Sequence, residues 1–192
     1  MKPSEFIKRF TPAAVQLAKK YDVSAADMLA QFAVESSWGA SKFSQKYNNY
    51  TGMKATGSKI PGVWDGTKSV QDTTEEYKPG VISNIKSAFR VYSSPEQSME
   101  DLAHRHAKRF NITMSGSGND INKFIENVIA SGYATGTGYH NLLNTIIDQY
   151  KLYDLDRGAK FRKKIIAKAG TGSTAKPKEI TTPGASSGEK KK

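Results

Sequence analysis

Residues 24–39 read SAADMLAQFAVESSWG. Ser24 is placed to cap a helix with Asp27 in its first turn, and Met28, Leu29, Phe32, Ala33 and Ser36 recur at helical spacing as a narrow apolar stripe. Glu35 lies seven positions after Met28 and three after Phe32, so its carboxylate projects from the apolar side of this helix or from its edge. Desolvation there raises a carboxyl pKa, and a carboxyl kept protonated near neutral pH is what acid catalysis of glycoside cleavage requires. The residues alone also allow a plainer reading, in which Glu35 forms a salt bridge or reaches solvent at a helix end.

Outward from this helix, residues 4–21 place Phe6, Ile7, Phe10, Ala14, Leu17, Ala18 and Tyr21 at spacings of three and four, which predicts an amphipathic helix. From Trp38 to about Pro95 the periodicity is lost. Two stretches within it alternate, Thr67–Tyr77 weakly and Ile85–Tyr92 clearly, and the YKPG between them is a turn signal, so an antiparallel hairpin with long flanking loops is expected. Helical spacing returns in three stripes: Met99, Leu102, Ala103, His106 and Phe110; Ile121, Phe124, Ile125, Val128 and Ile129; Leu142, Leu143, Ile146, Ile147 and Tyr150. The expected fold class is α+β, a helical lobe with a small antiparallel β-hairpin lobe flanking a groove.

The 192 residues include 29 Lys and Arg against 18 Asp and Glu, a net charge of +11. Its distribution is uneven. Residues 1–154 hold 18 basic and 15 acidic side chains, net +3, whereas residues 155–192 hold 11 and 3, net +8. The end of the chain, rich in Gly, Ser, Thr, Pro and Lys, has little to bury, and its composition predicts disorder. Two regions follow: a domain over 1–154 and a basic, largely disordered tail over 155–192, with the boundary near Asp154–Gly158. There is no cysteine, which removes disulfides, thiol nucleophiles and Cys-ligated metals. No Ser-His-Asp order, P-loop, GxGxxG or HExxH element is present.

The run MLAQFAVESSWGAS over residues 28–41 resembles the "LAQ-A-ES-WG-S" signature of glycoside hydrolase family 73, the peptidoglycan endo-beta-N-acetylglucosaminidases that include flagellar rod-cap hydrolases, autolysins and phage lysins. Three further stretches follow in the family's order: NYTGMK at 49–54 resembles its "NLFG-K" element, TEEY at 74–77 with AFRVY at 88–92 its "TEY … FR-Y" hairpin, and GYAT at 132–135 its "YATD" turn. The resemblance spans roughly residues 10–152. It implies a lysozyme-like α+β fold, Glu35 as general acid, Glu76 as the second carboxylate in the β lobe, and Tyr133 as a residue of the groove near the cleaved bond. Either of two mechanisms is open for Glu76: base for an attacking water, or orienter of the substrate's own acetamido group. Two departures stand out. Thr51 replaces the usual Phe of the second element, with Tyr50 beside it as a substitute aromatic surface, and Gly136-Thr137 stand where the family has Asp-Pro.

Trp38, Asn49, Tyr50, Trp64, Tyr139 and His140 complete the candidate substrate-binding set. The residues also support other roles for three of these: Trp38 as core beside the catalytic helix, Trp64 as core or groove with even weight, and His140 as an ordinary helix-start residue. His104 and His106 sit two apart on a helix and point about 200° apart, so they cannot chelate one metal; no metal and no cofactor is expected. His106 lies on the apolar stripe and is expected in the core. The expected partner is the glycan strand of peptidoglycan, met as a monomer, with the tail directed at an anionic envelope polymer or a membrane surface and no specific nucleic acid. Charges interrupt the first 21 residues too often for a Sec-type signal peptide. The expectation is therefore synthesis in the cytoplasm and action on the wall after lysis, virion delivery or specialised secretion, as a phage lysin or a bacteriolytic effector. The competing functions are a lytic transglycosylase or muramidase on the same scaffold, and a non-catalytic wall-binding assembly module.

Overall fold

The computed structural model describes residues 1–78, 81–132 and 137–156, without side chains for 74–78, 81–83 and 137. In chain order the elements are α1 (Pro3–Tyr21), α2 (Ala25–Glu35), α3 (Lys42–Tyr47), β1 (Lys68–Lys78), β2 (Val81–Arg90), α4 (Pro95–His104), α5 (Ile121–Ala130) and α6 (Thr137–Gln149). One turn of π-helix, Arg105–Arg109, extends α4, and a 3₁₀ turn, Leu152–Leu155, follows α6. The expected helical lobe with a segregated hairpin is the observed architecture.

The α1 stripe is as expected: Phe6, Phe10, Ala14 and Leu17 are buried. The reading of α2 as narrowly amphipathic needs correction, because every residue from Ala25 to Ala33 is buried. This helix touches α1, α4, α5 and α6, and a helix packed on all sides is apolar all round rather than on one face. Four alanines, at 25, 26, 30 and 33, keep it slim enough for that. Ser24 caps it as expected, its hydroxyl accepting from the Asp27 N–H. Its start is further held from a distance: Asp156 accepts from the Ser24 hydroxyl at 2.6 Å and from the Ala25 and Ala26 N–H groups at 2.7 and 3.2 Å.

Two polar residues of α2 enter the core with it. The Gln31 amide donates to Asp27 Oδ2 at 2.6 Å and lies 3.3 Å from Nε2 of His106, which is fully buried in the π-turn as its stripe position predicts. Burial disfavours the charged form of each ionisable group here, pushing the Asp27 carboxyl up to about 7 and the His106 imidazole down to about 3.

The end of α2 is closed by a left-handed turn. Ser37, Trp38 and Gly39 all have positive φ, the Trp38 N–H bonds to the Ala33 carbonyl at 2.7 Å, and the Ser36 hydroxyl donates to the Phe32 carbonyl while accepting from the Gly39 N–H. Gly39 is required here, since a Cβ on its φ of +73° would lie 3.3 Å from the Tyr50 ring. The turn swings the Trp38 indole between Phe6, at 5.7 Å, and Tyr150, at 5.3 Å.

The sheet is one antiparallel pair, with Lys68 opposite Arg90 and Glu76 opposite Ile82. A two-stranded ribbon is marginal in isolation, so its base must be tied to the helical lobe. The ties are the Arg90 N–H to the Met53 carbonyl, the Ala55 N–H to the Ala88 carbonyl, and a buried cluster in which Asp101 accepts from Arg90 Nη1 at 2.6 Å and from the Tyr92 hydroxyl at 2.5 Å. The Arg90 guanidinium lies 4.1 Å over the Trp64 ring. Further out the ribbon is open: the Lys86–Asp72 pair is exposed on both sides and contributes little. The short α3, capped by Ser41, lies where no helix is expected from the sequence; six residues are too few to show a period.

Candidate active site

Glu35 is the last residue of α2, so the central helix delivers its carboxylate to the surface at one point. That point opens onto a cleft of about 350 Å³ lined by Glu35, Thr51, Gly52, Lys54, Thr56, Arg105 and Arg109. Burial raises the Glu35 pKa above the ordinary carboxylate value, and a hydrogen bond from the Tyr139 hydroxyl to Oε1, at 2.9 Å, acts in the opposite direction and is the smaller effect. The carboxyl is thus desolvated, oriented by a phenol from α6, and open to the cleft. That is the environment in which a carboxylic acid keeps a proton it can give to a leaving oxygen.

The remaining candidates separate clearly. Tyr139 reaches the site, through Glu35. Asn49, Tyr50 and Trp64 do not offer surfaces to a ligand: they are 0%, 4% and 3% exposed. The Asn49 amide donates to the carbonyls of Met53 and Arg90 and accepts from the Met53 N–H, which clamps the Thr51–Gly52 floor of the cleft to the root of β2. Tyr50 stacks on Phe32 at 5.0 Å with 17° between the rings, so it does not stand in for the aromatic missing at Thr51; Thr51 and Gly52 line the cleft there instead. Trp64 is held under Arg90, and its indole N–H donates to the Thr67 carbonyl. Trp38 is half-buried and packs against the core, on Phe6 and Tyr150. His140 is half-buried on α6 and is not in the wall of the cleft. The Glu76 side chain, Tyr133, Gly136 and the tail from residue 157 lie outside the described residues.

Sequence reasoning missed the basic wall of the cleft. Arg105 and Arg109 stand four apart in RHAKRF, on the flank of the apolar stripe, a spacing that puts both on one face. Lys54, in an irregular loop, carried no comparable signal.

A family model described as mannosyl-glycoprotein endo-beta-N-acetylglucosaminidase, the glucosaminidase family, matches residues 11–152. The chain belongs to this glucosaminidase family, glycoside hydrolase family 73. It is 33% identical over 155 residues to the peptidoglycan hydrolase FlgJ of Pseudomonas aeruginosa, a match covering 78% of this chain and 37% of the relative. It is likewise 33% identical over 162 residues to an autolysin of Enterococcus faecalis, covering 80% of this chain and 21% of that protein. The glucosaminidase chain therefore spans well under half the length of these curated relatives. Among solved structures, the catalytic domain of the autolysin Auto from Listeria monocytogenes superposes with a TM-score of 0.67 at 25% identity, covering 80% of this chain and 86% of that one. The fold is the family's lysozyme-like one. No helix among the described residues is long and apolar enough to cross a membrane.

Proposed function

We propose that this glucosaminidase cleaves the glycan strand of peptidoglycan at N-acetylglucosamine, as an endo-beta-N-acetylglucosaminidase with Glu35 as its general acid. The observation that carries the reading is the Glu35 carboxyl itself: raised in pKa by burial, oriented by Tyr139, and facing the cleft. In the first step the Glu35 proton passes to the glycosidic oxygen as the bond to C1 breaks and positive charge develops on the sugar ring. The now anionic carboxylate keeps the Tyr139 hydrogen bond, which favours the charged form and so eases the transfer.

Glu76 on β1 is the proposed second carboxylate and Tyr133 the proposed groove residue, both through their match to the family's motifs. Peptidoglycan is the proposed partner, met by a monomer, and the basic tail is proposed to raise the local concentration of the enzyme at anionic wall polymers.

The test is digestion of purified cell walls with mass spectrometry of the released fragments. A reducing N-acetylglucosamine end is expected, lost by a factor of about 10² or more in Glu35→Gln. A reducing or anhydro N-acetylmuramic acid end would transfer the reading to a muramidase or transglycosylase, and no release by the correctly folded protein would leave a wall-binding module. The anomer formed first separates the two roles of Glu76, and a Glu76→Gln protein with undiminished rate would remove both.

A further inference from the structure

The three polar residues of α2, Asp27, Gln31 and Glu35, stand four apart and so form one stripe along a helix that is otherwise apolar. Asp27 and Gln31 are fully buried, and the stripe opens to the cleft only at Glu35. His106 of the π-turn meets it in the core, with Nε2 lying 3.3 Å from the Gln31 amide nitrogen and 3.8 Å from Asp27 Oδ2.

An amide nitrogen has two protons and no lone pair to offer. One Gln31 proton goes to Asp27 Oδ2, at 2.6 Å, and the other faces His106, so Nε2 is the accepting nitrogen of a neutral ring. Burial favours that same neutral form. The residue is held on other sides as well: its ring stands edge-on to Phe124 of α5, with centroids 5.9 Å apart, and its carbonyl accepts from the Ile112 N–H at 2.9 Å.

The residues around His106 inherit its position. Arg105 directly precedes it and Arg109 follows three later, and both line the cleft onto which Glu35 opens. The turn that carries them closes its hydrogen bond over five residues, from the Phe110 N–H to the Arg105 carbonyl at 3.1 Å. Wide turns of this kind are rare and occur frequently at functional sites. On the other side of the contact, Glu35 lies one helical turn beyond Gln31, about 6 Å along the α2 axis. The acid and the π-turn wall of the cleft are thus tied to one another through the core. A buried polar link adds little stability over a well-packed apolar one, but its bonds fix distance and angle where apolar side chains can slide.

We propose that Gln31 and His106 are positioning residues for the reaction at Glu35: their contact fixes the π-turn against α2 and so sets the width of the cleft between the acid and the wall of Arg105 and Arg109. This rests on the reading of the chain as a glucosaminidase acting through Glu35. Asp27 belongs to the same device, since it takes the other amide proton and orients Gln31. Fully buried, none of the three touches the substrate; they act through the backbone that frames the cleft.

The experiment measures kcat and KM on purified cell walls, per folded protein and well below the melting temperature. His106→Leu removes the acceptor and keeps an apolar side chain of similar size. Its kcat is expected to fall about tenfold or more, with KM within about threefold of the wild type. His106→Gln, whose amide oxygen reaches the place of Nε2, should recover most of that rate. Gln31→Met cuts the link from the α2 side and should show the same loss. The double variant Gln31→Met/His106→Leu should be no slower than the slower single one, because both cut one link. Should the apolar variants not fold, His106→Asn, whose shorter amide stops short of Gln31, takes their place against His106→Gln. Undiminished kcat in a folded variant lacking the contact, a loss confined to KM, losses that multiply in the double variant, or a His106→Gln protein as slow as His106→Leu overturns the proposal. A wild-type protein that releases no fragment strikes the underlying reading and takes the proposal with it, whereas an active wild type with unaffected variants strikes the proposal alone.

Discussion

The Tyr139 hydroxyl donates to Glu35 Oε1 across 2.9 Å, joining the first turn of α6 to the last residue of α2. This single bond opposes the burial that raises the Glu35 pKa. Removing it in Tyr139→Phe should raise that pKa further, because the bond stabilises the charged form more than the neutral one. Activity that needs the protonated acid is lost as pH rises through this pKa. The alkaline limb of the pH–rate profile should therefore move to higher pH in Tyr139→Phe, with a lower maximal rate because the leaving carboxylate is less stabilised. An alkaline limb that stays in place would separate Tyr139 from the acid function.

The same burial makes Glu35 a liability for stability. Its folded-state pKa lies above the ordinary carboxylate value, so the folded protein holds the proton more tightly than the unfolded chain does. Stability is then fully present below the unfolded pKa and declines as pH rises through the folded one. Glu35→Gln has no proton to lose and keeps an acceptor for Tyr139. Its melting temperature is expected to match the wild type near pH 4 and to exceed it at pH 7, where a gain of about 1 kcal/mol reads as roughly 2–4 °C in a chain of this size. Thermal unfolding of both proteins across that range decides it; equal differences at both pH values would mean that the carboxyl is not desolvated.

Asp27 and His106 make a pH signature of a different kind. The Asp27 carboxyl is raised from 3.8 to about 7 and the His106 imidazole lowered from 6.5 to about 3. Between about pH 4 and 6.5, the folded state therefore holds an extra proton on Asp27 and lacks one on His106. The first lowers stability as pH rises and the second raises it, so the two oppose one another in the wild type. Asp27→Asn preserves the shape and an acceptor for Gln31 but leaves the His106 contribution alone. The stability of Asp27→Asn relative to wild type should rise with pH over this window, with a slope approaching about 1.4 kcal/mol per pH unit. Urea unfolding at three pH values measures it, and parallel profiles would dismiss the pair as the origin.

The helices were legible because their stripes meet a core at one side, and α1, α5 and α6 have buried residues at the periodic positions. Glu35 was legible for the same reason: a charged residue among apolar ones at a helix end has few places to point. Periodicity fails where burial comes from all sides, as at Asp27 and Gln31, which look like solvent-facing helix residues until α4, α5 and α6 close over them. It also fails for irregular segments. Asn49, Tyr50 and Trp64 lie in a motif-bearing stretch without period, and their residue types suit a sugar groove and a loop scaffold equally well. Only the bonds of Asn49 to Met53 and Arg90, and the stacking of Tyr50 on Phe32, assign them to the scaffold. Arg105 and Arg109 face a cleft that exists only once the loop of Lys54 is brought against the π-turn.

Asp156 ties the chain after α6 to the start of α2, a contact that composition does not reveal. A boundary near Asp154–Gly158 is expected from the change in composition, but a cut after residue 154 removes the carboxylate that accepts from Ser24, Ala25 and Ala26. Those bonds satisfy the otherwise unpaired N–H groups at the start of α2, the helix that carries Glu35 at its far end. Loss of such a capping carboxylate costs about 0.5–2 kcal/mol, and a charge-assisted set at a half-buried site belongs at the upper end. A chain of residues 1–158 is expected to unfold like the full-length protein, whereas 1–154 should lose about 2 kcal/mol, and Asp156→Ala in the longer chain should reproduce most of that loss. Asp156→Asn should fall between them, since its amide retains one acceptor. If 1–154 and 1–158 melt together, the contact from residue 156 to the start of α2 contributes nothing, and the domain ends where its composition changes.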